Sequence, residues 1–121
     1  MKARKVLVCG SRDYPDRDKV FHTLDAYRAR LGPAMLIITG GATGADEFAR
    51  QWAVDRKVDH LVLYAKWDLE GRGAGPIRNR RMASKKPKLV LAFSKDFDNS
   101  RGTADMIRVA EKLNIKVKRF S

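Results

Sequence analysis

The densest set of residues able to do chemistry lies at Gly40-Gly41-Ala42-Thr43-Gly44-Ala45-Asp46, where the apolar run Leu36-Ile37-Ile38 breaks into glycines, a hydroxyl and a carboxylate. After Gly44, Ala45, Phe48, Ala49, Trp52 and Ala53 recur at helical spacing, so the loop leads into a helix whose first N–H groups lack intrahelical partners. Glycines let a ligand approach the backbone, and the aligned peptide dipoles favour negative charge, so Gly40, Gly41, Thr43 and Gly44 are read as a phosphate loop. The plainer alternative is a tight strand-to-helix turn. Asp46, in the first helical turn, either complements the macrodipole or contacts ribose hydroxyls or an active-site water.

Two further segments carry groups of the same kind. Gly10, Ser11 and Arg12 follow the apolar run Val6-Leu7-Val8-Cys9, which puts a hydroxyl and a guanidinium at a strand end. Arginine suits bidentate phosphate recognition, although Asp13 and Asp16 also offer Arg12 a carboxylate partner. Farther on, Gly75-Pro76 reads as a helix start with proline at the first position, which sets Arg78 and Asn79 in the first turn to supplement free N–H groups toward phosphate. Gly71, Gly73 and Gly75 suggest a flexible flap, and Trp67 either stacks on a base or packs in a core or interface. From Lys66 to Lys88 lysine and arginine far outnumber Asp68 and Glu70, as on a solvated helix face or a nucleic-acid footprint. His22 and His60 stand apart from acidic or cysteine clusters, so no metal and no other cofactor is expected.

Two nucleotide signatures are absent. A Walker loop needs Lys and then Ser or Thr after its last glycine, whereas Ala45 and Asp46 follow Gly44. The dinucleotide fingerprint GxGxxG belongs after the first strand, and that position reads Gly10-Ser11-Arg12-Asp13-Tyr14-Pro15.

The elements that must position these groups alternate. Strands are predicted at Lys5 to Cys9, Met35 to Thr39, His60 to Ala65, Lys88 to Phe93 and Ile115 to Phe120. Helices are predicted at Arg17 to Leu31, after Gly44, near Ile77 to Lys85 and at Thr103 to Leu113, with Asp16 as N-cap and Gly32 as stop for the first. Such alternation, with nearly continuous apolar strands, argues for an α/β fold: a three-layer Rossmann-like sandwich on a mainly parallel five-stranded sheet. Ligands then bind beyond the carboxyl ends of the strands, where strand order reverses, over the loops Gly10 to Pro15, Gly40 to Gly44, Lys66 to Pro76 and Ser94 to Gly102.

A chain of 121 residues suits one domain spanning 1–121, and 44% apolar residues suffice for a core. The formal charge of +12 points to anionic ligands or partners. Cys9 is the lone cysteine, so no internal disulfide forms, and a run of about five apolar residues is too short for a signal core or membrane span. A soluble, cytoplasmic protein with no membrane partner is expected.

Four motifs in order, Gly10-Ser11-Arg12, Gly40 to Asp46, Gly75 to Met82 and Gly102-Thr103-Ala104-Asp105-Met106, resemble the SLOG superfamily of DprA-like and LOG-like Rossmannoid domains, and specifically its YspA/YpsA-related branch. The resemblance implies a nucleotide or nucleotide-derived ligand over glycine-rich loops, with Gly102 and Thr103 among the phosphate contacts. LOG-type enzymes are similar to phosphoribohydrolases and carry Gly-Gly-x-Gly-Thr-x-x-Glu. Here the glycine pair before Gly102 is missing and Met106 takes the acidic position. Binding or sensing of a phosphorylated nucleoside is therefore the first expectation. N-glycosidic hydrolysis with Asp46 or Asp105 as the acidic group is the second, and DprA-like single-stranded nucleic-acid binding the third. The resemblance also implies self-association as a homo-oligomer.

Overall fold

Five apolar runs pair as parallel strands in a computed structural model that describes residues 2–121: β1 (Arg4–Gly10), β2 (Met35–Thr39), β3 (Asp59–Val62), β4 (Leu89–Phe93) and β5 (Lys116–Phe120). Their order across the sheet is β3-β2-β1-β4-β5, and every pairing is parallel. Between them run α1 (Arg17–Leu31), α2 (Ala45–Asp55), the short α3 (Trp67–Glu70), α4 (Ala74–Ala83) and α5 (Arg101–Lys112).

The two-residue period of the strands divides the core into two layers. Val6, Val8, Ile37, Leu91 and Phe93 face α1 and α2, where Leu24, Ala49 and the fully buried Trp52 close the layer. Leu7, Cys9, Ile38, Val90 and Ala92 face the other way, against Met82 and Ala83 of α4 and Met106, Ile107 and Ala110 of α5. Both faces are covered, which is why the central strands read as continuous apolar runs. The expected three-layer α/β sandwich is the observed one.

The chain builds outward from β1 through β2 to β3, then crosses to β4 on the other side of β1. Strand order therefore reverses between β1 and β4, and their carboxyl ends diverge into a crevice.

Local differences from the sequence reading have physical causes. β3 stops at Val62 instead of Ala65, because it is an edge strand whose sole neighbour, β2, ends at Thr39. The supposed flap is helical: a 3-10 turn at Gly71–Gly73 joins α3 directly to α4. As α4 opens at Ala74, Pro76 lies within its first turn and Arg78 in the second. Asp16 caps α1 by accepting from the Lys19 N–H at 3.0 Å, and Gly32 closes it at φ 79°. Beyond α2, α4 and α5 the left-handed positions are held instead by Lys57, Lys86 and Asn114, at φ 56°, 57° and 59°. Among the described residues no helix is long and apolar enough to cross a membrane.

Candidate functional site: a cleft at the strand-order reversal

The crevice between β1 and β4 opens into a cleft of about 720 Å³. One wall is the end of β1 with Gly10, Ser11, Arg12 and Asp13, and the opposite wall is the segment Ser94 to Thr103. Cys9 and Met106 form part of the apolar floor, while Ala42, Asp46, Arg78 and Asn79 close the side toward α2 and α4.

The amino end of α5 leaves backbone N–H groups unsatisfied at this cleft. Ser100 occupies the capping position but does not cap, because its hydroxyl bonds to the Asp96 carbonyl and the Ser94 hydroxyl, both at 2.8 Å. The helix ladder begins with Ala104 N–H donating to the Ser100 carbonyl, so among the described residues the N–H groups of Gly102 and Thr103 have no acceptor. Free N–H groups at the positive end of a helix form an anion site when they face a cleft, and here Arg12, Lys95 and Arg101 line the same space. A Cβ added to Gly102 would meet no protein atom within 4 Å.

The glycine loop after β2 is built differently. Its N–H groups at Gly40 and Ala42 both donate to Asp46 Oδ2, at 3.0 and 3.3 Å, so an internal carboxylate already holds them. Each glycine makes room for a neighbour. A side chain at Gly40 would strike the guanidinium of Arg78, one at Gly41 the ring of Tyr64, and one at Gly44 the backbone of Ser11 and Arg12. Arg78 donates to the Gly40 carbonyl and to Asn79 Oδ1, tying α4 to this loop. Thr43 donates its hydroxyl to the Arg12 carbonyl at 2.9 Å.

Comparison with known proteins agrees with this architecture. A family model described as YAcAr, the YspA, cpYpsA-related SLOG family, matches residues 4–69. The Gene 61 protein of Mycobacterium phage D29 is 33% identical over 122 residues, covering 97% of this chain and 96% of that protein. The chain belongs to the YspA, cpYpsA-related SLOG family. Membership points to nucleotide-related binding or processing. The matched residues carry this SLOG fold from β1 through the glycine loop to α3, whereas α4, α5 and the wall from Ser94 to Thr103 lie beyond that match.

Of the residues singled out in the sequence, Gly10, Ser11, Arg12, Asp46, Arg78, Asn79, Gly102 and Thr103 come together around the cleft. Gly40, Gly41, Thr43 and Gly44 lie outside the lining, Gly41 and Thr43 being exposed. Gly75 lies against the Trp67 ring, with an added Cβ 3.4 Å from it. Trp67 is half exposed and does not line the cleft, but the Arg12 guanidinium lies 5.9 Å from its ring centroid and links it to the rim. Asp105 points elsewhere: it accepts from Asn79 Nδ2 at 2.9 Å and from Arg108 Nη2 at 3.2 Å. Asn79, 2% exposed, also donates to the Gly102 carbonyl and so braces the amino end of α5 from α4. Lys95, Ser100 and Arg101 are legible in the sequence only as members of the Ser94 to Gly102 loop. Their signal is position alone, in the loop that follows β4 at the strand-order reversal.

Buried in this SLOG cleft, Asp46 is 5% exposed. Burial raises its pKa from 3.8 to about 6, against the opposing pull of the Ala42 and Gly40 N–H groups and the charges of Arg78 and Arg12. Burial likewise raises the Cys9 thiol and depresses Arg78, whose charge Asp46 partly sustains. The folded protein keeps the Asp46 proton at pH values where the unfolded chain has lost it. Its contribution to stability therefore falls as pH rises from about 4 to about 6 and is level above that, a loss of about 3 kcal/mol. Asp46→Asn keeps an acceptor for both N–H groups and cannot ionise. Denaturant unfolding at several pH values is expected to show the variant gaining on the parent across that window; parallel pH profiles would contradict the assignment.

Proposed function

We propose that the cleft binds a phosphorylated nucleoside or nucleotide-derived molecule, with a phosphate against the Gly102 and Thr103 N–H groups and Arg12 and Arg101 flanking it. The observation that carries this reading is the uncapped amino end of α5 at the strand-order reversal. The family's nucleotide-related character supports the ligand class. Arg12 and the nearby Trp67 ring supply a rim on which a base can stack.

A second reading, cleavage of an N-glycosidic bond, is favoured by one feature: Asp46 is a buried carboxyl in the cleft wall with a pKa raised toward neutrality. Asp105, engaged by Asn79 and Arg108, is the weaker candidate. Native mass spectrometry after incubation with mixed nucleotides, NAD and ADP-ribose separates the two. Retention of an intact ligand, reduced at least about tenfold in Arg12→Ala through loss of a charge-assisted contact, supports binding. Free base that no longer forms with Asp46→Asn supports hydrolysis. Neither retained ligand nor released base would reject both.

A further inference from the structure

We propose that the opposite end of the molecule, the amino edge of the sheet, docks the phosphate backbone of a nucleic acid. In a parallel α/β sandwich the helices run against the strands, so helix carboxyl ends and strand starts share one edge. That edge gathers basic residues scattered along the sequence. They come from the approach to β1 and its start, the last turn of α1, the segments 56–57 and 85–88, the end of α5 and the start of β5. The basic run from Lys66 to Lys88 is thus divided, with Arg78 in the cleft and Lys85, Lys86 and Lys88 here.

Carboxylates are segregated the other way. Of the 14 acidic residues, Asp55, Asp59 and Glu111 lie at this edge, with Asp25 reached from mid-helix. Asp25 and Asp55 are taken by Arg56, and Glu111 by Arg119. Among the described residues Lys57, Lys86, Lys88, Lys112 and Lys116 are exposed and have no carboxylate partner within salt-bridge distance. Around the cleft, by contrast, Asp13, Asp46 and Asp96 offset the cations. The excess charge of +12 is therefore concentrated away from the small-molecule site.

Basic side chains near helix carboxyl ends also complement the macrodipole, but that role does not account for the two left-handed positions. Lys57 and Lys86 occupy conformations that glycine or asparagine adopts more easily, and both project a charge from this edge. The sheet's five strands span about 20 Å at roughly 4.8 Å per step, which covers about six phosphates at 3.4 Å along one strand of a duplex. Large exposed apolar side chains here are limited to Val54 and Leu113, too few to insert into a lipid surface or anchor a protein interface. A densely charged, weakly apolar surface fits phosphodiester recognition without base readout.

The test is fluorescence anisotropy with a labelled mixed-sequence DNA of about 20 base pairs, and with its single strand, over a salt series. The protein is expected to bind, with affinity falling steeply as salt rises. Lys57→Gly/Lys86→Gly removes two charges at positions whose backbone suits glycine. It is expected to bind about tenfold more weakly, with a shallower salt slope and an undiminished melting temperature. Arg12→Ala, in the cleft, should bind DNA like the parent, so failure of this proposal is distinguishable from failure of the nucleotide reading. Unchanged DNA affinity in the lysine variant, loss of it in Arg12→Ala, or tighter binding to phosphatidylserine vesicles than to DNA would overturn the proposal.

Discussion

Replacing Gly102 with alanine is expected to leave the protein folded and at least as stable, and to lower its affinity for a phosphorylated ligand about 100-fold, the equivalent of one or two charge-assisted hydrogen bonds. The added Cβ meets no protein atom within 4 Å, and alanine is the better helix former, so the fold has no reason to suffer. In the proposed reading, the phosphate at the Gly102 and Thr103 N–H groups is expected to crowd that carbon. Valine at the same position should lose still more affinity. Isothermal calorimetry against a retained nucleotide, paired with a thermal melt, checks both halves; equal affinity in parent and variant would remove α5 from the site.

Gly10→Ala should give the reverse result. There a Cβ would collide with the Phe93 carbonyl oxygen and the Ala45 Cβ, one a backbone atom of β4 and the other the first residue of α2. Neither is a flexible side-chain tip. Ser11 N–H already donates to that carbonyl at 3.0 Å, so β1 and β4 cannot separate without losing the bond that shapes the crevice. Overpacking at such a junction is expected to cost about 3 kcal/mol, read as a lowered denaturant midpoint, and a variant as stable as the parent would contradict the packing described here. Of the two glycines in one cleft, Gly10 admits protein atoms, and Gly102, in the proposed reading, leaves space for a ligand.

Much of the frame was legible because apolar runs alternated with helical periods, and parallel strands covered on both faces leave that pattern. The end of β3 was not, since an edge strand stops where its neighbour stops, and β2 ends at Thr39. The glycine loop shows a deeper limit. Strand, glycines and helix read alike whether the glycines admit a phosphate or the Arg78 guanidinium, the Tyr64 ring and the Ser11 backbone. That distinction depends on contacts between α4, the β3 end and the β1 loop, far apart in sequence. Asp46 is legible from its place in the first helical turn, but its reach back to the Gly40 and Ala42 N–H groups follows from the fold of the loop. Lys95 and Ser100, in an aperiodic loop, and Arg101, at the first position of α5, acquire meaning beside the β1–β4 crevice. The charged amino edge is assembled from residues between Lys2 and Lys116, so no single sequence window displays it.

In the proposed reading the ligand phosphate is held at the amino end of α5. Backbone amide NMR during titration with adenosine, guanosine, cytidine and uridine monophosphates tests it most directly. Saturable shifts are expected for at least one of them, largest at Gly102 and Thr103, with smaller ones at Ser11 and Arg12. Largest shifts at Gly40 to Gly44, or none with any nucleotide, would contradict it.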